Sequence, residues 1–104
     1  MPPIALLLTT AGSQDEAAKI ARELVERRLA ACVNVIPGVA STYRWKGAVE
    51  TAAEWLLVIK TRPDRFADVQ AALGELHSYE LPELVMITPE RVDPRYAAWV
   101  EDSL

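Results

Sequence analysis

This 104-residue sequence holds one cysteine, Cys32, and one histidine, His77, so it has very little soft-metal or redox chemistry to offer. A single thiol closes no internal disulfide, and nothing in the chain demands an oxidising compartment. Blocks of positive charge are missing too: 11 Lys and Arg are scattered among 15 Asp and Glu, for a formal net charge of −4. Nucleic acid is therefore not an expected partner, because phosphate binding needs a concentrated basic footprint. The apolar run Ile4 to Leu8 is too short for a membrane span or a signal-peptide core, and no basic segment precedes it. No membrane partner is expected, and a soluble cytoplasmic protein is the default. With four glycines in all, the chain carries no Gly-rich phosphate cradle. No Ser/Gly linker, repeat or low-complexity tract interrupts it, so residues 1–104 read as one domain with one core.

What is present has a clear periodicity. Ile4 to Thr10 is apolar and partly branched, as in a first strand. Ser13 and Glu16 have the spacing of a capping box. Beyond them Ile20, Ala21, Leu24, Val25 and Leu29 recur at helical intervals, with charged residues between them, which predicts an amphipathic helix of about four turns. Its charges from Glu23 to Arg28 read as a solvated face with i,i+4 pairing. Cys32 to Trp45 predicts a long strand rich in Val and aromatics, bent or bulged at Pro37-Gly38 and placed at a sheet edge, because proline removes a ladder donor. Lys46-Gly47 reverses the chain into Val49–Thr61, so the two long strands form a hairpin. Phe66, Val69, Leu73, Leu76 and His77 lie on one face of a second helix that follows Pro63-Asp64. Leu84 to Thr88 supplies a fourth strand. Asp93-Pro94 then caps a short terminal helix carrying Tyr96, Trp99 and Val100.

The order β-α-β-β-α-β plus a terminal helix is that of an α+β, ferredoxin-like sandwich. Two helices cover one face of such a sheet, yet "IALLL", "WLLVI" and "ELVMI" are apolar at consecutive positions, so both faces seek burial. Each large apolar side chain left wet forgoes roughly 1.5–3 kcal/mol. A closed homo-oligomer is the simplest cover, and the alternative is a terminal helix folded beneath the sheet.

The segments "RLAACVNVIPGVASTYRWKGAVE", "LLVIKT", "LHSYELPELVMI" and "YAAWV" resemble, in order and spacing, the CutA family of divalent-ion tolerance proteins over nearly the whole chain. The resemblance implies a homotrimer with a PII-like assembly, long hairpins that pair between subunits, a link to tolerance of copper and other divalent metals, and no established enzymatic activity. It also implies metal ligands, proposed for some members, at a cysteine ending the first strand and at two adjacent histidines after the second helix. Here Thr9 and Leu76-His77 occupy those positions.

The candidate metal ligands are thus Cys32, a soft donor that otherwise serves as a small buried hydrophobe, together with His77 and Glu83. His77 ends the second helix, where the negative end of the helix dipole favours a protonated ring, and a polar loop follows it. Matching to the family's cleft adds Trp45, Lys60 and Tyr79. In a ferredoxin-like arrangement the first and third strands are expected to be parallel neighbours, so Lys60 should finish near Thr9 and Thr10 at one sheet end. Tyr43 and Trp45 share a strand face, either packing across a subunit boundary or walling a cleft, and Trp55 and Trp99 read as core or interface residues. Copper or another divalent metal is the expected ligand, with no cofactor needed for folding. The alternative is a PII-like regulatory trimer that takes a small anion or a partner peptide.

Enzymatic readings fare worse. An acylphosphatase needs an arginine in the loop after the first strand, and "TTAGSQDE" has none. A Ser-His-Asp arrangement would use His77, but nothing in the sequence places Ser13, Ser41 or Ser78 productively beside it. The expectation is a binding protein.

Overall fold

The computed structural model describes residues 3–104. Elements follow in the order β1 (Ala5–Ala11), α1 (Gln14–Glu26), β2 (Cys32–Trp45), β3 (Ala48–Thr61), a 3-10 turn (Pro63–Arg65), α2 (Phe66–Leu76), β4 (Val85–Ile87) and α3 (Pro94–Asp102). The sheet has the order β2-β3-β1-β4 and every pairing in it is antiparallel. This is the ferredoxin-like βαββαβ arrangement that the periodicity predicts, with β2 at an edge.

One expectation is overturned. β1 and β3 are antiparallel, so Lys60 stands opposite Leu6, while Thr9 and Thr10 stand opposite Leu57 and Leu56. The α1 crossover makes β2 parallel to β1, and the hairpin partner β3 slots between them and must oppose both.

The helix start is also only half as expected. Ser13 caps α1 by accepting the Glu16 amide at 3.1 Å. The Glu16 carboxylate does not close the box, and its Oε1 instead stands 3.4 Å from His77 Nδ1. α1 stops at Glu26, short of Leu29, because Arg28 turns left-handed at φ 58° and the amides of Leu29 and Ala30 fold back onto the Leu24 carbonyl. The expected i,i+4 pairs form, Arg22 with Glu26 and Arg27 with Glu23. Arg27 also reaches Glu75 and so ties α1 to α2.

Side-chain alternation sorts the sheet into two faces. Ala5, Leu7, Ala11, Leu57 and Ile59 join Ile20, Leu24, Val69 and Leu73 in the core beneath α1 and α2, with Val33, Val35 and Trp55 packed against it. The opposite face holds Leu6, Leu8, Leu56, Val58 and Ile36, plus Val85 and Ile87 from β4, and Ile36, Val85 and Ile87 are exposed. α3 does not cover it. Ala97 and Val100 bury Ile4 against Ala31, Val92 and Leu104 at one end, and Trp99 is left exposed.

β2 and β3 have 14 residues each against 7 in β1. The β1 register stops at Trp55, so Ala48 to Glu54 pair with β2 alone, as a two-stranded ribbon projecting from the sheet. A register shift between Ile36 and Val39 marks the expected bulge, where Gly38 takes φ 80°. At the ribbon's tip Lys46 and Gly47 have φ 49° and 84°, the two positive angles of a type I′ turn whose twist matches that of the strands. A Cβ on Gly47 meets no atom within 4 Å, so a substitution there costs backbone energy alone. Gly47→Ala is expected to destabilise the protein by about 1 kcal/mol, read as a fall in thermal midpoint with an unchanged fold by circular dichroism.

Candidate functional site

At the root of the ribbon, the loop 77–84 between α2 and β4 wraps the end of the sheet and leaves a groove of about 850 Å3. Tyr43, Trp45, Ser41, Glu50 and Glu54 line it from the hairpin, Thr10 from β1, and Tyr79, Glu80 and Glu83 from the loop. Every charged residue of the lining is a glutamate.

His77 anchors the loop. Its side chain is completely buried. Nε2 lies 2.6 Å from the Thr10 carbonyl oxygen, which can only accept, and Nδ1 lies 3.1 Å from the Tyr79 amide, which can only donate. These partners assign a neutral ring with its proton on Nε2. Both ring nitrogens are therefore engaged, and neither offers a free lone pair to a ligand.

Tyr79 stacks at a tilt on His77 with ring centroids 4.6 Å apart, and its hydroxyl donates to Glu54 Oε2 at 2.8 Å. Gly12 makes room for it, since a Cβ there would stand 2.9 Å from the Tyr79 oxygen.

Glu54 is 7% exposed, and burial by itself pushes its carboxyl up. Hydrogen bonding by the hydroxyls of Ser41, Tyr79 and Thr10 outweighs that cost and holds it below the ordinary carboxylate value. The Tyr79 hydroxyl is driven well above its usual range, by burial first and then by its bond to Glu54. Glu83 goes the other way from Glu54: burial of its carboxyl, then the Glu54 charge, raise it. Two carboxyls on one groove are thus pushed apart, a pattern that also marks functional sites.

The expected site residues do not all meet here. Trp45, Tyr79 and Glu83 line the groove, and His77 supports it from behind. Cys32 and Lys60 are cross-strand partners four register positions beyond Leu56, roughly 13 Å along the strand from Thr10. Lys60 is turned instead to the Asn34 side-chain oxygen, and Cys32 is a half-buried free thiol. The triad Cys32, His77 and Glu83 therefore does not converge, and among the described residues no three His, Cys, Asp or Glu side chains are grouped to hold a metal. Reasoning from the sequence missed Glu54. Its signal is a carboxylate directly before the apolar "WLLVI" run, where a charge needs hydrogen-bonding partners to be tolerated.

Residues 5–103 match the CutA1 divalent ion tolerance protein family. This chain belongs to that family. Against the divalent-cation tolerance protein CutA of Thermus thermophilus it is 39% identical over 98 residues, 94% of this chain and 95% of that one. A CutA homolog from Xenopus laevis is 47% identical over 83 residues, 80% of this chain but 55% of the longer relative, so the chain spans about half of that protein. Crystal structures of CutA from Xylella fastidiosa (38% identity, TM-score 0.93, 96% of each chain) and CutA1 from Oryza sativa (31%, TM-score 0.95, 98% and 94%) share the fold. This CutA1 family member thus carries the family's fold over its whole described length.

Two outcomes test the groove's electrostatics. Tyr79→Phe removes the bond to Glu54 and is expected to cost about 1 kcal/mol. Gly12→Ala, which displaces the same hydroxyl, should cost less in the Tyr79→Phe background than alone, as a double-mutant cycle by thermal denaturation will read. Glu83→Gln is expected to raise the thermal midpoint at pH 7, because folding raises the Glu83 pKa and so penalises its charged form. That gain should vanish once the pH falls below the ordinary glutamate value of about 4.3, where the carboxyl is protonated in both states. Glu54→Gln should do the reverse, losing stability at pH 7 and approaching wild type in acid.

Proposed function

We propose that the chain is the subunit of a cytoplasmic homotrimer serving divalent-metal tolerance, with the groove at the ribbon's root as its cation-facing site. The observation that carries the reading is the groove's lining: four glutamates and no basic residue, with the buried Glu54 accepting from the Tyr79 hydroxyl. A lining of one sign concentrates counter-ions of the other. It argues against a small anion as the occupant.

Oxygen donors suit hard or borderline divalent ions, so copper would be met here as Cu(II) rather than as Cu(I), which prefers thiolate. One chain offers no complete ligand set, and the ion's remaining positions fall to water or to a second subunit. Family membership supports the link to divalent ions. Assembly is supported by the apolar sheet face that neither α1, α2 nor α3 covers, and the family resemblance supplies the number three.

Titration calorimetry with Cu(II) and Zn(II) decides the site. Glu54→Gln and Glu83→Gln are expected to weaken binding about tenfold each, and Cys32→Ser to leave it unchanged. Loss of binding in Cys32→Ser alone would overturn the placement. Light scattering should give three times the 11.5 kDa chain mass. Ile36→Glu, on the exposed apolar face, should lower it.

A further inference from the structure

The hairpin tip sets one of the chain's own cations, Lys46, beside two residues of the groove's lining, Trp45 and Glu80. Lys46 Nζ stands 5.6 Å from the centroid of the Trp45 ring and 3.8 Å from Glu80 Oε2. An alkylammonium is thereby held between an aromatic face and a carboxylate, the two group types that recognise such a cation. The hold is weak, because Lys46 and Glu80 are both largely exposed and a surface pair of that kind contributes little. A competing ammonium can displace it.

The wall continues inward in the same chemistry. Tyr43 faces Glu50 across the ribbon, two residues from Trp45 on the same strand face. Glu54 lies four residues from Glu50 on one face of β3, about 13 Å along the strand. Acceptors thus recur at intervals along the groove, with aromatic rings on its wall. Acceptors spaced along the groove in this way match a long cation whose charges are spaced along its chain.

We propose that the groove binds a linear aliphatic polyamine, one ammonium taking the place of Lys46 between Trp45 and Glu80 and another reaching toward Glu54. The inference shares the groove and Glu54 with the metal reading, and Trp45→Leu, which removes an aromatic face and no oxygen donor, separates the two.

The test is calorimetry of the assembled protein with spermidine, run against Mg2+ at equal ionic strength. Saturable spermidine binding is expected, with Mg2+ far weaker. Trp45→Leu and Glu54→Gln should each weaken spermidine about fivefold. Lys46→Gln should tighten it by a similar factor, because the internal competitor is gone. Lys19→Gln, the same charge change on α1, should leave it within about twofold. Because the Lys46 effect is a gain of binding at an exposed residue, misfolding cannot produce it. The proposal is overturned by absence of saturable binding in both wild type and Lys46→Gln. Equal tightening by Lys19→Gln and Lys46→Gln, or indifference to Trp45→Leu, would each overturn it as well.

Discussion

Two strands of 14 residues share a sheet with one of 7 and one of 3, and they cannot be paired on both sides along their whole length. From that mismatch come the projecting ribbon and the groove at its root, while an apolar sheet face stays open because α1 and α2 both pack on the other side. A two-stranded ribbon is marginal on its own in water. Its left-handed turn at Lys46-Gly47 and the bulge at Pro37-Gly38 set its direction, and the bulge resets which side chains face the groove. After it, Val39 stands opposite Glu54 and Tyr43 opposite Glu50.

The groove's chemistry depends on groups that never touch its interior. The His77 side chain is completely buried, yet it ties the Thr10 carbonyl to the Tyr79 amide and so holds the loop against the sheet. Tyr79 in turn spends its hydroxyl on Glu54. A carboxylate in so sheltered a place would ordinarily gain a proton, and the hydroxyls around it reverse that preference. Its retained charge then acts on Glu83, which helps to separate the two carboxyls in strength. Histidine here is a strut, and glutamate is the charged group on the groove's surface.

Membership of the CutA1 family and the geometry agree on fold and diverge on ligands. Thr9 stands where the resemblance implies a cysteine, and its side chain is fully buried on the helix-covered side of the sheet. The lone thiol, Cys32, faces the open side beside Lys60. A soft-metal site assembled from one chain's cysteine and histidine has no geometric basis among the described residues.

The order of elements, the edge position of β2, its bulge, the hairpin tip and the surplus of apolar strand surface were all legible in the amino-acid sequence. Each is written in local terms: alternation, helical spacing, Pro-Gly and Lys-Gly pairs. The direction of β1 against β3 was not, because it follows from the crossovers as a whole, and one reversed strand moved Lys60 from Thr10 to Leu6. Nor did the sequence show that Glu16 would leave its capping role and come to lie beside His77, or that Glu54 would meet Tyr79 across 25 residues of chain. Hydrogen bonds between distant segments depend on register and on loop placement. Only the folded chain decides those, because they arise from packing the sheet end against a loop whose own sequence carries no period to read.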